Sequence, residues 1–404
     1  MMRRGRDVLF RVAAGLLAVG GFPSVGDAQA QTPARVLRIA STVLNETRAV
    51  HVQLPPNYAM ARQRYPVVIL LDGQVRAFFD LAVASTNYNL TGDAQRFAMP
   101  PQIVVGVEQG ERSIDLARNA DAFYRFLTTE VLPRVDREYR TMPFRTLIGH
   151  SLGARFALAM MCRTPTEFSA IIAISGALPD SSRDESTRCL SSPAAGGTAT
   201  TSLRHLVISG GSLEPRTMAS TDRLFTTLRD RLSAQSAPAW RIHRVDATGL
   251  EHTGAPLVGI PMGLRFVFDG EAWDLPPSIA DSLRDRLGDP DALLAAGVAA
   301  VSARIGQPVA PTATWMATVV RTWLARRDAR AALAAAERLV RDYPEQVDSH
   351  TLLADARELN GDLDGTRKAI TAALDLSNRI AWHDERQKAA VQAFLRRSLA
   401  ERAP

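Results

Sequence analysis

Apolar and polar residues alternate over residues 36–40 and 48–54, which is the period of strands with one buried face. The pattern then changes. Continuous apolar runs fill 66–71 (Pro-Val-Val-Ile-Leu-Leu), 103–107 (Ile-Val-Val-Gly-Val) and 170–174 (Ala-Ile-Ile-Ala-Ile), as suits parallel strands covered on both sides. Residues 203–210 and 240–245 read as two more strands, and residues 120–137 and 220–234 as helices. Strand and helix in turn predict an α/β fold, with a mainly parallel sheet flanked by helices on both faces. Ligands bind such sheets at the carboxyl ends of the strands. The polar stretches at 72–74, 111–115 and 180–201 fall at or near those ends.

Around Leu275-Pro-Pro277 the strand pattern stops, and the chain becomes rich in Ala, Leu and Arg. Residues 315–328 and 349–362 read as first helices, and 331–342 and 365–375 as second helices, of two similar pairs. Their offset is about 34 residues, the tetratricopeptide period, and Pro344 closes the first pair where a helix must end. Fewer than three such repeats rarely stand alone, so this all-α helical-repeat extension is expected to pack on the sheet domain.

One stretch carries recognisable chemistry. Residues 146–148 are strand-like, Gly149-His150-Ser151-Leu152-Gly153 follows, and 154–161 has helical composition. This reads as a G-x-S-x-G elbow, in which a serine sits on a turn too tight for side chains on its flanking glycines. The elbow lifts Oγ from the sheet and sets it at a helix N-terminus, where the backbone N–H of Leu152 can meet an oxyanion. A second donor is expected from the loop after residues 70–71, through the backbone N–H of Gly73 or Gln74.

A serine hydroxyl is a weak nucleophile until an oriented histidine takes its proton. The expected chain order is serine, acid, histidine. Of seven histidines, His51 and His150 precede the nucleophile, His205 and His243 lie inside strands, and His350 and His383 lie in the helical extension. His252 remains, in the glycine-flanked loop Thr248-Gly-Leu-Glu-His-Thr-Gly254. Glu214, shortly after the strand at 203–210, is the expected acid, with Asp222 the reserve; Glu251 adjoins the histidine, which directs its side chain elsewhere.

Composition limits the alternatives. With 404 residues and 46% hydrophobic content the chain can bury a large core and carry a second unit. Only Lys368 and Lys388 of the 48 basic residues are lysines, and no dense basic run follows the N-terminus, so nucleic-acid binding is not expected. Met1-Met-Arg-Arg-Gly-Arg6, an apolar stretch over 8–22 and Ala28-Gln-Ala30 read as an export signal cleaved after Ala30. Its removal takes four arginines and two aspartates, lowering the net charge from +6 to about +4. Arg11 interrupts an already short apolar run, so no stable membrane insertion is expected after cleavage and the mature chain should be periplasmic or secreted. Export permits a disulfide between Cys162 and Cys189, though two free thiols fit as well. No cysteine or histidine pair has ligand spacing, and neither metal nor organic cofactor is expected.

Val52-Gln-Leu-Pro-Pro-Asn-Tyr58, Tyr65-Pro-Val-Val-Ile-Leu-Leu-Asp-Gly73, Gly149-His-Ser-Leu-Gly153 and Glu251-His252-Thr253 together resemble the putative esterase family of α/β-hydrolases. Within it they are most similar to the branch containing enterobactin and bacillibactin trilactone esterases. The resemblance spans roughly residues 36–270. It implies a carboxylic ester hydrolase acting on a small-molecule ester, with Ser151 as nucleophile, His252 as base and the acid at Glu214. It also implies an arginine-aspartate pair near the site, matched by Arg112 and Asp115, with Arg112 shaping the substrate pocket. The chain departs from the branch at Gly153-Ala154, where Gly-Gly is common, and at Gly176-Ala-Leu-Pro-Asp180, which lacks the usual aromatics. The expected organisation is a signal peptide at 1–30, an α/β-hydrolase domain at 31–274 and a helical tetratricopeptide-like region at 275–404. Two other readings share these residues: a noncatalytic protein that binds a partner or itself through the C-terminal helices, and an acyltransferase using the same triad.

Overall fold

The computed structural model describes residues 33–88, 99–163, 167–176, 203–233, 240–382 and 385–402. The expected export signal, the polar loop 180–201 and the pairing of Cys162 with Cys189 lie outside the described residues. One eight-stranded sheet organises the chain. Its strands are β1 (Arg35–Ser41), β2 (Glu46–Gln53), β3 (Tyr65–Leu71), β4 (Ile103–Val107), β5 (Thr141–His150), β6 (Ala170–Ile174), β7 (Arg204–Gly211) and β8 (Trp240–Ala247). They lie in the order β1-β2-β4-β3-β5-β6-β7-β8. The β1-β2 and β2-β4 pairings are antiparallel and the remaining pairings are parallel.

Burial follows from position in that order. Every residue of β3, β4, β6 and β7 is buried, which is why β3, β4 and β6 are apolar runs without alternation, while β7 also buries Arg204, His205 and Ser209. The edge strands β1 and β8 keep residues partly or fully exposed. Successive side chains of a strand point to opposite faces, so each inner strand feeds two cores. Val68, Val104, Ile148 and Ile172 belong to one, while Ile69, Val105, Leu147 and Ile171 belong to the other with Phe123, Phe126 and Phe156.

Helices α1 (Arg76–Tyr88), α2 (Leu152–Arg163), α3 (Pro215–Ser233) and α4 (Pro256–Val267) pack around the sheet. The segment expected as one helix over 120–137 is mixed: Ala120–Arg125 and Leu132–Glu138 are α-helical with the π-helical Phe126–Val131 between them, and a further π-helical turn, Ile114–Arg118, precedes them. The helix expected to start near residue 220 starts instead at Pro215, since proline at the first helical turn loses no hydrogen bond. Helix α1 has no counterpart in the sequence reading.

Beyond α4 the chain is helical: α5 (Pro277–Arg284), α6 (Pro290–Ile305), α7 (Ala313–Arg326), α8 (Ala329–Asp342), α9 (Val347–Leu359), α10 (Leu363–Arg379) and α11 (Glu385–Ala400). Helices α7 and α9 begin 34 positions apart, and so do α8 and α10. The turns repeat too. Asp328 and Asp362 each cap the second helix of a pair, accepting from the N–H of Ala331 and Gly365, and each follows a left-handed residue, Arg327 or Gly361. This region packs on the sheet domain as expected. One buried cluster runs from Val68 and Phe144 through Phe268 and Leu275 to Trp315, Leu352 and Leu395. The N–H of Leu203 donates to Arg304 O at 3.0 Å, Gln307 Nε2 donates to Pro143 O at 3.1 Å, and the N–H of Ala381 donates to Asn57 Oδ1 at 3.0 Å. No helix of the described residues is long and apolar enough to cross a membrane.

Candidate active site

Ser151 lies between β5 and α2 with φ of 58°, the left-handed region that a non-glycine residue enters at a cost of roughly 1–3 kcal/mol. Its surroundings hold it there. The Ser151 N–H donates to Ile174 O on neighbouring β6 at 2.8 Å, and its carbonyl accepts from the N–H groups of Ala154 and Arg155. A Cβ on Gly149 would sit 2.2 Å from the carbonyl oxygen of Gly153, so glycine is obligatory before the serine. The requirement is one-sided. A Cβ on Gly153 would meet Asp72 Oδ2 at 3.4 Å, the edge of ordinary contact.

His252 sits in the loop between β8 and α4, and Glu214 in the loop between β7 and α3. The structure brings them together: His252 Nδ1 lies 2.6 Å from Glu214 Oε2. A carboxylate only accepts, so Nδ1 carries the hydrogen, and in the neutral ring Nε2 keeps a lone pair. The other carboxylate oxygen, Oε1, accepts from Ser175 Oγ at 2.7 Å and from the N–H of Gly211 at 3.2 Å. Burial raises the Glu214 pKa, but the bonds from His252, Ser175 and Gly211 outweigh it and hold the carboxyl below the usual glutamate value. The two loops are laced together, Ser212 N–H to Ala247 O at 3.1 Å and Leu213 N–H to Leu250 O at 3.0 Å. Asp222 stands apart from this network. It is half-exposed and forms an ion pair with Arg244 at 2.5 Å. Glu251 accepts from Thr253 Oγ1 at 2.6 Å.

His150, set aside by chain order, proves to be part of the site. Its Nε2 lies 2.8 Å from His252 O, and the two rings are 4.7 Å apart. Phe78 of α1 meets the His150 ring edge-on at 5.3 Å. Burial, opposed by the bond to His252 O, holds the His150 pKa below the ordinary histidine value, so a neutral ring lies against His252. Ser175 was missed as well; it is fully buried, follows β6 and has φ of 50°. The only sequence signal for it is a hydroxyl at the end of an apolar strand.

The loop after β3 needs a correction. Gly73 was an expected oxyanion donor, but its N–H donates to Val107 O at 2.9 Å and is already engaged. Its glycine character answers a different demand, because a Cβ there would lie 2.4 Å from the backbone of Gly106. Among the described residues the backbone N–H of Gln74 has no acceptor, and neither has that of Leu152 at the start of α2. The expected pair of Arg112 with Asp115 also divides. Asp115 bonds Arg48 at 2.9 Å, whereas Arg112 makes a two-point contact with Asp72, Nε to Oδ1 at 2.6 Å and Nη2 to Oδ2 at 3.0 Å. Burial, partly offset by Arg48, raises the Asp115 pKa. Among the described residues no group of three or more His, Cys, Asp or Glu side chains is placed to hold a metal ion.

The sequence model of the putative esterase family matches residues 41–245, half of the chain. The chain belongs to this family. As a putative esterase it is a carboxylic ester hydrolase, and the matched span contains Ser151 and Glu214 but ends before His252. No curated protein matches the chain. Among solved structures, this esterase is similar to an IroE-like serine hydrolase from Shewanella oneidensis at 20% identity, covering 77% of this chain and 99% of that one with a TM-score of 0.57. An uncharacterised protein from Capnocytophaga ochracea is 16% identical and covers 91% of this chain and 99% of its own, with a TM-score of 0.55. Likenesses at these identities establish the shared α/β-hydrolase fold.

Proposed function

We propose that this esterase is an exported serine hydrolase that cleaves small-molecule carboxylic esters by two-step acyl transfer, with Ser151 as nucleophile, His252 as base and Glu214 as acid. The observation that carries the reading is the 2.6 Å contact of Glu214 with His252, together with the bond that ties His252 to His150, the neighbour of Ser151. Glu214 fixes the tautomer of His252 and favours its charged form, and Nε2 takes the serine proton as Oγ attacks the ester carbonyl. The negative charge on the carbonyl oxygen meets the N–H groups of Leu152 and Gln74. Collapse of the tetrahedral intermediate expels the alkoxide, which receives the proton from His252. Water then repeats the sequence on the acyl-enzyme.

The division at residue 275, export through residues 1–30 and a tetratricopeptide-like identity for the helical region belong to the same proposal. They are supported by the change of composition at Leu275, by the basic and apolar N-terminus and by the 34-residue offset of the helix pairs. The motifs around Ser151 and His252 resemble the trilactone esterases, which makes polyester siderophores one substrate class to test. A fluorophosphonate probe should label the wild-type chain and fail to label Ser151→Ala. Labelling of both would remove the serine from its role. A panel of trilactones, thioesters, acetylated sugars and short p-nitrophenyl esters, run with the same two proteins, reads the substrate class.

A further inference from the structure

Two turns on neighbouring parallel strands supply the candidate oxyanion donors, one after β3 ending in Gln74 and the other after β5 ending in Leu152. Each turn is held by a non-glycine residue in the left-handed region, Asp72 with φ of 62° and Ser151 with φ of 58°. A single guanidinium touches both. Arg112 spends Nε and Nη2 on the Asp72 carboxylate, and Nη2 also donates to His150 O at 2.6 Å, the carbonyl immediately before Ser151.

We propose that Arg112 is a positioning residue that sets the spacing of the two oxyanion donors by clamping the Asp72 turn to the Ser151 turn, and is not a contact for substrate anions. The proposal rests on Ser151 being the nucleophile. The charge of Arg112 is matched by Asp72, which is buried, so little positive potential remains for a ligand. Three of its five N–H donors are already satisfied. The planar fork fits a carboxylate and a carbonyl at fixed separation, which a flexible ammonium does not reproduce.

The loop that carries Arg112 is itself braced. The N–H of Gly110 donates to Asp115 Oδ2 at 2.8 Å, Asp115 pairs with the buried Arg48, and Gly110 lies so close to that guanidinium that a Cβ would meet Arg48 Nη1 at 2.4 Å. The Asp72 turn is fixed from its other side. Its own N–H donates to Gln109 Oε1 at 2.7 Å, Gln109 N–H donates to Gln74 Oε1 at 3.1 Å, and the Gly73 N–H is held by Val107. With β4 fixing one flank and Arg112 the other, the direction of the Gln74 N–H is determined before substrate arrives. Preorganised donors of this kind act on the transition state and leave ground-state binding largely unchanged.

The test compares wild type, Arg112→Gln, Arg112→Lys and Ser151→Ala on a neutral short p-nitrophenyl ester and on a carboxylate-bearing ester of the same length, with an alkyl boronic acid as tetrahedral mimic. Arg112→Gln should lower kcat on the order of 10²-fold on both esters, leave KM within about twofold, and weaken the boronic acid in proportion to kcat. Arg112→Lys, which keeps the charge and one contact to Asp72, should fall between, and it carries the test if the glutamine variant does not fold. A KM increase confined to the carboxylate-bearing ester with kcat retained would overturn the clamp, as would unchanged kinetics on both. Hydrolysis retained by Ser151→Ala would instead overturn the serine reading on which the clamp rests.

Discussion

His150 Nε2 donates a 2.8 Å hydrogen bond to the backbone carbonyl of His252, 102 positions further along the chain. The bond joins the elbow to the loop that carries the imidazole of His252. Its donor is the residue next to Ser151, so the loop is tied to the elbow beside that serine.

His150→Ala removes both the bond and the ring contact while leaving Ser151, Glu214 and His252 in the chain. It should lower kcat on the order of 10-fold, with KM for a short ester nearly unchanged, because misplacement of a base affects the reacting geometry more than binding. Steady-state kinetics on a p-nitrophenyl ester checks this, and an unaltered kcat would count against the loop anchor.

Glu214→Gln should reduce kcat on the order of 10³-fold or more, since an amide no longer favours the charged imidazole. Asp222→Asn should leave the rate alone, because that carboxylate is occupied with Arg244 at the surface. Ser175→Ala removes one of the bonds that hold the Glu214 pKa down, so the Glu214 carboxyl of that variant should titrate at higher pH, as read by carboxyl carbon NMR. An Asp222→Asn variant that lost activity, with Glu214→Gln unaffected, would exchange the two roles.

The two elbow glycines should respond unequally to alanine. Gly149→Ala places a methyl group 2.2 Å from Gly153 O and should destabilise the fold by at least ~2 kcal/mol. Gly153→Ala meets only ordinary contacts and gains helix propensity, so its cost should stay under ~1 kcal/mol. Urea unfolding of the two variants measures the difference, and equal losses would contradict the one-sided requirement.

Two buried groups should give stability opposite dependences on pH. Burial lowers the His205 pKa from 6.5 to about 3, so between those values the unfolded chain binds a proton that the folded chain refuses. Stability therefore falls as pH drops below about 6.5, and His205→Leu, which removes a ring whose nitrogens have no partner among the described residues, should flatten that limb. Burial raises the Asp355 pKa from 3.8 to about 8, so the folded chain retains a proton that the unfolded chain has released. Its contribution is complete below about pH 3.8 and is lost as pH rises through about 8, so Asp355→Asn should raise the unfolding midpoint near pH 8 and not near pH 4. Denaturant midpoints across this range test both, and an unchanged pH slope in either variant would discard its half of the argument.

The sequence alone determined what depends on local pattern. Full burial on both faces demands uninterrupted apolar residues, so β3, β4 and β6 were legible, as was the parallel α/β architecture they build. The elbow was legible because a left-handed serine before a helix leaves no room for a side chain at Gly149. Chain order reduced seven histidines to His252 and several carboxylates to Glu214, and the structure places these two side by side. Helix α1 and the π-helical turns left no clear trace, since their period is set by what they pack against. What the tertiary structure decided were the contacts between loops far apart in sequence. That Gly73 spends its N–H on Val107, that Arg112 meets Asp72 and the elbow instead of Asp115, and that His150 and Ser175 hold the histidine and the acid all depend on which strand ends are neighbours. A hydrogen bond between distant loops is chosen by three-dimensional proximity, and proximity leaves no period in the chain.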